Sequence, residues 1–174
     1  NYNLNPYKIA AYETTYALWY EVRIWAEKNG FIFENSGEEG HTKNSSEGGL
    51  GRYKPVTTIT CADCIVWCNA YSMKKGFEPC YYSDDSFTNV IRKLEEAEGF
   101  SSVFVKYDAS GFRLPTESEW KYAAYGAFMT AADKKYKFSG SNNLEEVAVA
   151  FVYSGPNTVG TKKPNGIGCY DMSG

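Results

Sequence analysis

Cys61, Cys64 and Cys68 fall at i, i+3 and i+7 of one predicted helix, so their thiols share a face. Cys61-Ala62-Asp63-Cys64 is a CxxC, a spacing that suits thiol–disulfide exchange or a soft metal. The chain has 5 cysteines and 1 histidine, with no second CxxC, so no obvious four-ligand zinc set exists. A thioredoxin-like reading needs a βαβ context that is missing. The residues favour free thiols that pack as small hydrophobes. A disulfide to Cys80 or Cys169, or a bound metal, are the alternatives.

Two oxygen-rich clusters are candidates for calcium: Asp84-Asp85 between Ser83 and Ser86, and Asn142, Asn143, Glu145 and Glu146. Neither shows the spaced ligand set of a calcium loop. A solvated turn is expected at Asp84, and no metal site is assigned. His41 sits alone in a polar loop and is expected to face solvent. Arg113 and Glu117 are a tempting pair for substrate contact. The competing and favoured reading is structural: an ion pair or carboxylate-to-backbone bond that fixes the loop before a helix, where a glutamate also suits the helix dipole.

The elements that must position these groups are short. Asn1 to Pro6 is polar and extended or frayed, and Tyr7 to Glu13 reads as a strand. Thr14 or Thr15 starts a first helix whose inner stripe is Leu18, Val22, Trp25 and Ala26, and Asn29-Gly30 ends it. Asn35 to Gly51 is a loop rich in Gly, Ser, Asn and Glu. Thr60 caps a second helix, with Asp63 at N3, that runs to about Lys75 and stops at Gly76. Cys80 to Tyr82 and Val103 to Tyr107 read as strands, and Ser86 to Glu98 as a short helix. Beyond Phe128 only short pieces and turns are expected.

The net charge of −3 and pI near 5.3 give no basic footprint for nucleic acid. No apolar run is long enough to span a membrane. The 174 residues suit one domain with a real core. The 15 tyrosines suit either semi-buried filling or recognition, since tyrosine gives contact area at low entropic cost.

The run from Gly111 to Gly126 (GFRLPTESEWKYAAYG) holds the strongest signal. Pro115 biases Leu114 toward an extended backbone. Thr116 and Glu119 form a capping box for a third helix, roughly Glu117 to Tyr125, with Trp120, Ala123 and Ala124 on its apolar face. The Arg-Leu-Pro-Thr-Glu run with its Glu-Trp and Tyr-Ala-Ala continuation resembles the formylglycine-generating-enzyme (sulfatase-modifying factor)-like family, a branch of the C-type lectin fold. Three further stretches resemble that family in the same order: Tyr12 to Trp19, Pro55 to Asn69, and Val159 to Gly174.

The resemblance implies an α+β, C-type-lectin-like fold with short strands, two or three helices and much irregular structure. It implies one domain over 1–174 and a family pattern that runs on beyond Gly174. Catalytic members carry their paired active-site cysteines in that later part. So does a second group its variable residues: the non-catalytic variable proteins of bacterial diversity-generating retroelements. The expected function is therefore non-catalytic binding of a protein or carbohydrate ligand, with no cofactor and no catalytic residue in this chain. The alternative is a fragment of a copper-dependent oxidase that converts a sulfatase cysteine to formylglycine. An extracellular or bacterial-surface setting is expected, as a lipoprotein whose N-terminal signal is absent here; the chain opens at Asn1 without Met, as a trimmed or mature chain would. Arg113, Thr116, Glu117, Trp120 and Trp25 are assigned structural roles, with Trp25, Ile65, Trp120 and Ala124 expected in the core beside Leu18 and Val22. The ligand-binding residues remain open.

Overall fold

The structure, a computed structural model, describes residues 4–40, 53–127, 135–150 and 155–174. His41 and most of the polar loop lie outside the described residues. In chain order the elements are α1 (Tyr16–Lys28), β1 (Glu38–Glu39), β2 (Val56–Thr57), α2 (Cys61–Lys74), β3 (Tyr81–Tyr82), β4 (Phe104–Val105), α3 (Glu117–Ala124) and α4 (Leu144–Val147). A single 3₁₀ turn covers Glu96–Glu98. Among the described residues the class is thus α+β, with two two-stranded sheets, β1–β2 and β3–β4.

The chain divides into two compact units: Tyr16–Glu38 with Val56–Leu114, and Asn1–Thr15 with Glu39–Pro55 and Pro115–Gly174. In the helical unit, α1 presents Trp19, Val22 and Ala26 inward, with Trp19 only 1% exposed. Of the expected stripe, Val22 and Ala26 are buried as expected, while Leu18 and Trp25 only flank the core that Trp19 anchors. Trp19 stacks on Trp67 of α2 with ring centroids 5.5 Å apart and nearly parallel planes. Both indoles keep their polar handle satisfied, Trp19 Nε1 donating to Ser36 O at 2.9 Å and Trp67 Nε1 to Trp19 O at 3.2 Å.

The helix α2 starts where the sequence places it. Thr60 Oγ1 accepts from Asp63 N at 3.2 Å, and the Asp63 carboxylate returns to Thr60 N at 3.0 Å. Asp63 is fully buried, yet it also accepts from Glu34 N, Asn35 N and Asn35 Nδ2. Burial raises its pKa, but the hydrogen bonds from Thr60 and Asn35 outweigh that and hold it below the usual carboxylate range. One helical face further on, Asn69 ties α2 to the strands. Its Nδ2 donates to Tyr81 O at 2.7 Å and Ile91 O at 2.9 Å, and its Oδ1 accepts from Cys80 N at 3.2 Å and Tyr81 N at 3.0 Å. β3 and β4 pair antiparallel, Tyr81 opposite Val105 and Tyr82 opposite Phe104. Gly111 passes so close that a Cβ there would sit 2.2 Å from Glu78 O, so no larger residue fits without moving backbone.

Three expectations need correction. Ser86 to Glu98 is not a helix apart from the 3₁₀ turn; the segment folds back on β3, with Ile91 N donating to Tyr81 O at 3.1 Å and Tyr82 bridged to Val90. Backbone pairing to a neighbouring strand overrides the helical spacing of Val90, Ile91 and Leu94 there. Tyr7 to Glu13 is not a strand; it attaches by the Tyr7 hydroxyl to Glu119 O at 2.7 Å and by Ala11 O to Tyr170 N at 2.9 Å. Trp120 is not core; it is 45% exposed. In α3 the capping box is present, with Glu119 N donating to Thr116 Oγ1 at 3.2 Å and Thr116 N to Glu119 Oε2 at 2.7 Å. Glu119 and Ala123 therefore take the inward face, and Trp120, about 100° further round, points out.

Asn69→Leu will strand buried donors and acceptors of β3, at about 1–3 kcal/mol for an unsatisfied group, so a loss of at least about 3 kcal/mol is expected by urea unfolding. Thr116→Ala should cost about 1 kcal/mol. Because the folded pKa of Asp63 lies below its unfolded value of 3.8, its contribution is present above that pH and lost as pH falls through the folded pKa. Asp63→Asn should flatten that acid limb in unfolding curves recorded between neutral pH and pH of about 2.

Candidate ligand-binding site

Asn165 organises the second unit as Asn69 does the first. It is buried, and its Nδ2 donates to Ala123 O at 2.7 Å and Ser139 Oγ at 2.9 Å. Its Oδ1 accepts from Ile167 N and Cys169 N, both at 3.1 Å. One amide thus joins the end of α3, the loop of residues 135–140 and the turn of residues 165–169. That loop is held again by Ser139 N donating to Ser173 Oγ at 2.9 Å and Lys137 N donating to Asn142 Oδ1 at 2.9 Å. Near the chain ends of this unit, Tyr12 stacks on Tyr170 at 4.7 Å and covers Gly160 so closely that a Cβ would meet the ring at 2.3 Å.

The end of α3, the loop of residues 135–140 and residues 165, 166, 172 and 173 line a half-open cavity of about 360 Å³. Trp120 and Tyr125 of the α3 region form one wall, and Tyr136 and Phe138 form another, with Met172 also lining it. Lys135 Nζ lies 5.2 Å from the Tyr136 ring centroid and Lys137 Nζ 5.2 Å from that of Phe138. Among the described residues the lining includes no Cys, His, Asp or Glu. The side chains of Asn165, Ser139 and Ser173 bond within the protein, and Tyr125, Tyr136, Lys135 and Lys137 add further polar groups. The volume and the aromatic lining are those of small-ligand and side-chain pockets.

Of the five residues assigned structural roles, Trp120 alone lines this cavity. Thr116 caps α3 as expected. Glu117 forms its ion pair with Lys121, one helical turn on, which holds its carboxyl below the usual range. Arg113 Nη1 donates to Leu114 O at 3.1 Å, and its guanidinium lies over the Tyr107 ring at 5.2 Å. Trp25 is half-buried with its ring centroid 6.4 Å from that of Phe31. The sequence reading missed Lys135, Tyr136, Phe138 and Asn165. The alternation of cation and aromatic in Lys135-Tyr136-Lys137-Phe138 was a signal that could have found the first three.

The other clusters have local duties. Asp84 accepts from the Ser86 hydroxyl, Asn89 N, Thr88 N and Thr88 Oγ1; the Ser86 bond first, then those backbone donors, depress its pKa. Asn143 caps α4 through Glu145 N at 3.1 Å, and Glu146 Oε2 meets Lys163 Nζ and Ser141 Oγ, each at 3.1 Å. The five cysteines are free: Cys61 exposed, Cys64 half-buried, and Cys68, Cys80 and Cys169 buried. Burial raises all five thiol pKa values, that of Cys64 to about 11, where Cys61, Asp63 and Glu96 add to the effect. A copper–thiolate pair needs two sulfurs that deprotonate together.

A model of the sulfatase-modifying factor enzyme 1-like domain matches residues 1–174. The chain is 33% identical to the chaperone protein LppX of Paenibacillus barcinonensis, over 100% of this chain and 61% of that protein. It spans less than two thirds of that curated relative. Among solved structures, CarF superposes with a TM-score of 0.82 at 28% identity, covering 99% of this chain and 67% of CarF. Treponema denticola variable protein 1 superposes with a TM-score of 0.64 at 28% identity, covering 91% of this chain and 55% of that one.

The thiol environments give a measurable order. An aromatic disulfide reagent should label Cys61 first and Cys64 more slowly. Cys68, Cys80 and Cys169 should react only on unfolding.

Proposed function

This chain belongs to the sulfatase-modifying factor enzyme 1-like family, and we propose that it is a non-catalytic member whose role is to bind a protein or carbohydrate ligand. Its fold is the C-type-lectin-like α+β fold of the formylglycine-generating-enzyme type. The observation that carries the binding reading is the cavity over Trp120: among the described residues its lining offers aromatic surface and two ammonium groups but no thiol, imidazole or carboxylate. Such a lining suits contact with a ligand more than thiol chemistry. The likeness to Treponema denticola variable protein 1 supports the same reading, since it extends over 91% of the chain. The lectin-type scaffold carries its recognition surface on loops above a fixed core, so surface residues change without cost to stability. We place the protein at an extracellular or bacterial-surface location. No helix among the described residues is long and apolar enough to cross a membrane.

The second reading is an oxidase that forms formylglycine on a sulfatase cysteine, and the matching domain model favours it by its description. Against it stand the raised thiols. Cys169 is buried and has no second cysteine within a few residues, and Cys61 and Cys64 belong to a packed helix. Incubating the chain with copper and a cysteine-containing sulfatase peptide should give no aldehyde by mass spectrometry. Aldehyde formed in repeated turnover, and abolished by Cys169→Ser, would overturn the binding reading.

A further inference from the structure

We propose that Asn29 is a self-modification site, converted to aspartate and isoaspartate by attack of the Gly30 amide nitrogen on its side chain, and that the fold shields Asn165 from the same reaction. The chain holds two Asn-Gly pairs, Asn29-Gly30 and Asn165-Gly166. By sequence they are equivalent, since glycine leaves the attacking nitrogen unhindered in both. The only co-reactant is water. Gly30 N loses its proton and bonds to Asn29 Cγ; the Cγ–Nδ2 bond breaks, and ammonia leaves with that proton. Water then opens the five-membered imide. Cleavage of the Cγ–N bond gives aspartate. Cleavage at the original peptide carbon gives isoaspartate, with the main chain rerouted through Cβ.

Three observations set the two pairs apart. The first is access: Asn29 and Gly30 are both exposed just beyond α1, whereas Asn165 is 6% exposed. The second is the attacking nitrogen. Phe31 N donates to Ala26 O at 3.0 Å, and Gly30 has a φ of +81°, the pattern of a Schellman helix end. That motif would also pair Gly30 N with Glu27 O, but among the described residues this bond is missing. The nucleophile is therefore not held by the helix end. Nor is it crowded, since the atom nearest to a Cβ built on Gly30 is Arg92 Nη1 at 4.0 Å.

The third is the carboxamide. Asn29 Nδ2 donates to Trp25 O at 2.7 Å in an exposed position, where water replaces the bond at little cost. Asn165 is held by four bonds, from Nδ2 to Ala123 O and Ser139 Oγ and to Oδ1 from Ile167 N and Cys169 N. Freeing its Cγ for attack means opening them, which takes a local unfolding event.

The product alters the structure beside it. Asn29 O accepts from Arg92 Nη1 at 2.7 Å, and Arg92 O accepts from Ile32 N at 2.9 Å. The Arg92 guanidinium also lies 4.9 Å from the Phe31 ring centroid. This clasp fastens the segment leaving α1 to Arg92. An isoaspartate link lengthens that segment by one main-chain carbon, which shifts Ile32 N away from Arg92 O.

The test ages the full chain in mildly alkaline buffer, maps the change by mass spectrometry after digestion and counts isoaspartate by enzymatic methylation. Conversion at Asn29 should run at least about tenfold faster than at Asn165, the ratio expected when two or more buried bonds must open first. In urea the two sites should react at similar rates, because only the fold distinguishes them. Gly30→Ala should slow Asn29 and leave Asn165 unchanged. In the purified isoaspartate product, the Ile32 amide should exchange with deuterium faster than in the fresh chain. Equal rates at the two sites in the folded chain would overturn the proposal. So would an Asn29 that reacts in urea but not in the folded chain, or a rate at Asn29 that ignores Gly30→Ala.

Discussion

The helical unit depends on the single buried side chain of Asn69. Its carboxamide supplies two donors and accepts two more bonds, all to backbone groups of residues 80, 81 and 91. A two-residue strand such as β3 leaves backbone groups along its edge, and Asn69 pairs with them from the helix. Short strands are what this fold provides, so the helix must supply the missing bonds from a side chain. The Trp19–Trp67 stack then sets how closely α1 meets α2, and Asp63 pins the segment after α1 to the start of α2 through backbone N–H groups. Irregular chain is thereby made as determinate as a regular sheet, by polar side chains in place of ladders.

The second unit repeats the device with a different amide. Asn165 fixes two backbone donors and a backbone acceptor, and it brings the loop of residues 135–140 against the end of α3. With little regular structure, this unit buries mainly small residues such as Ala123, Val147 and Cys169. Its larger rings are left to line a cavity. The helical unit packs Trp19, Trp67 and Phe31 into its core, while this one leaves Trp120 exposed beside its cavity.

The cysteines show how residue type misleads when environment is unknown. A CxxC on a helix face is a redox or metal motif only if its sulfurs ionise and meet. Here α2 turns Cys68 into the core and half-buries Cys64, and desolvation raises the pKa of each. Of the three cysteines on that face, Cys68 serves as apolar filling, Cys64 is half-buried and Cys61 stays at the surface.

The helix starts were legible in the sequence because capping is local: Thr60 with Asp63, and Thr116 with Glu119, need only neighbours within one turn. The family followed from motifs in register, which is again a property of the chain alone. The tertiary structure decided three matters. Val90 and Ile91 joined a strand's edge instead of a helix, because Tyr81 offered backbone partners that spacing cannot reveal. Trp19 rather than Leu18 entered the core, because the helix rotated to stack one indole on another. Trp120 turned outward, because the cap it follows drew Glu119 inward. Tyr136 and Phe138, which line the same cavity, lie further along the chain. Sequence reads interactions that close within a turn; a cavity assembled from distant segments exists only once the whole unit has folded.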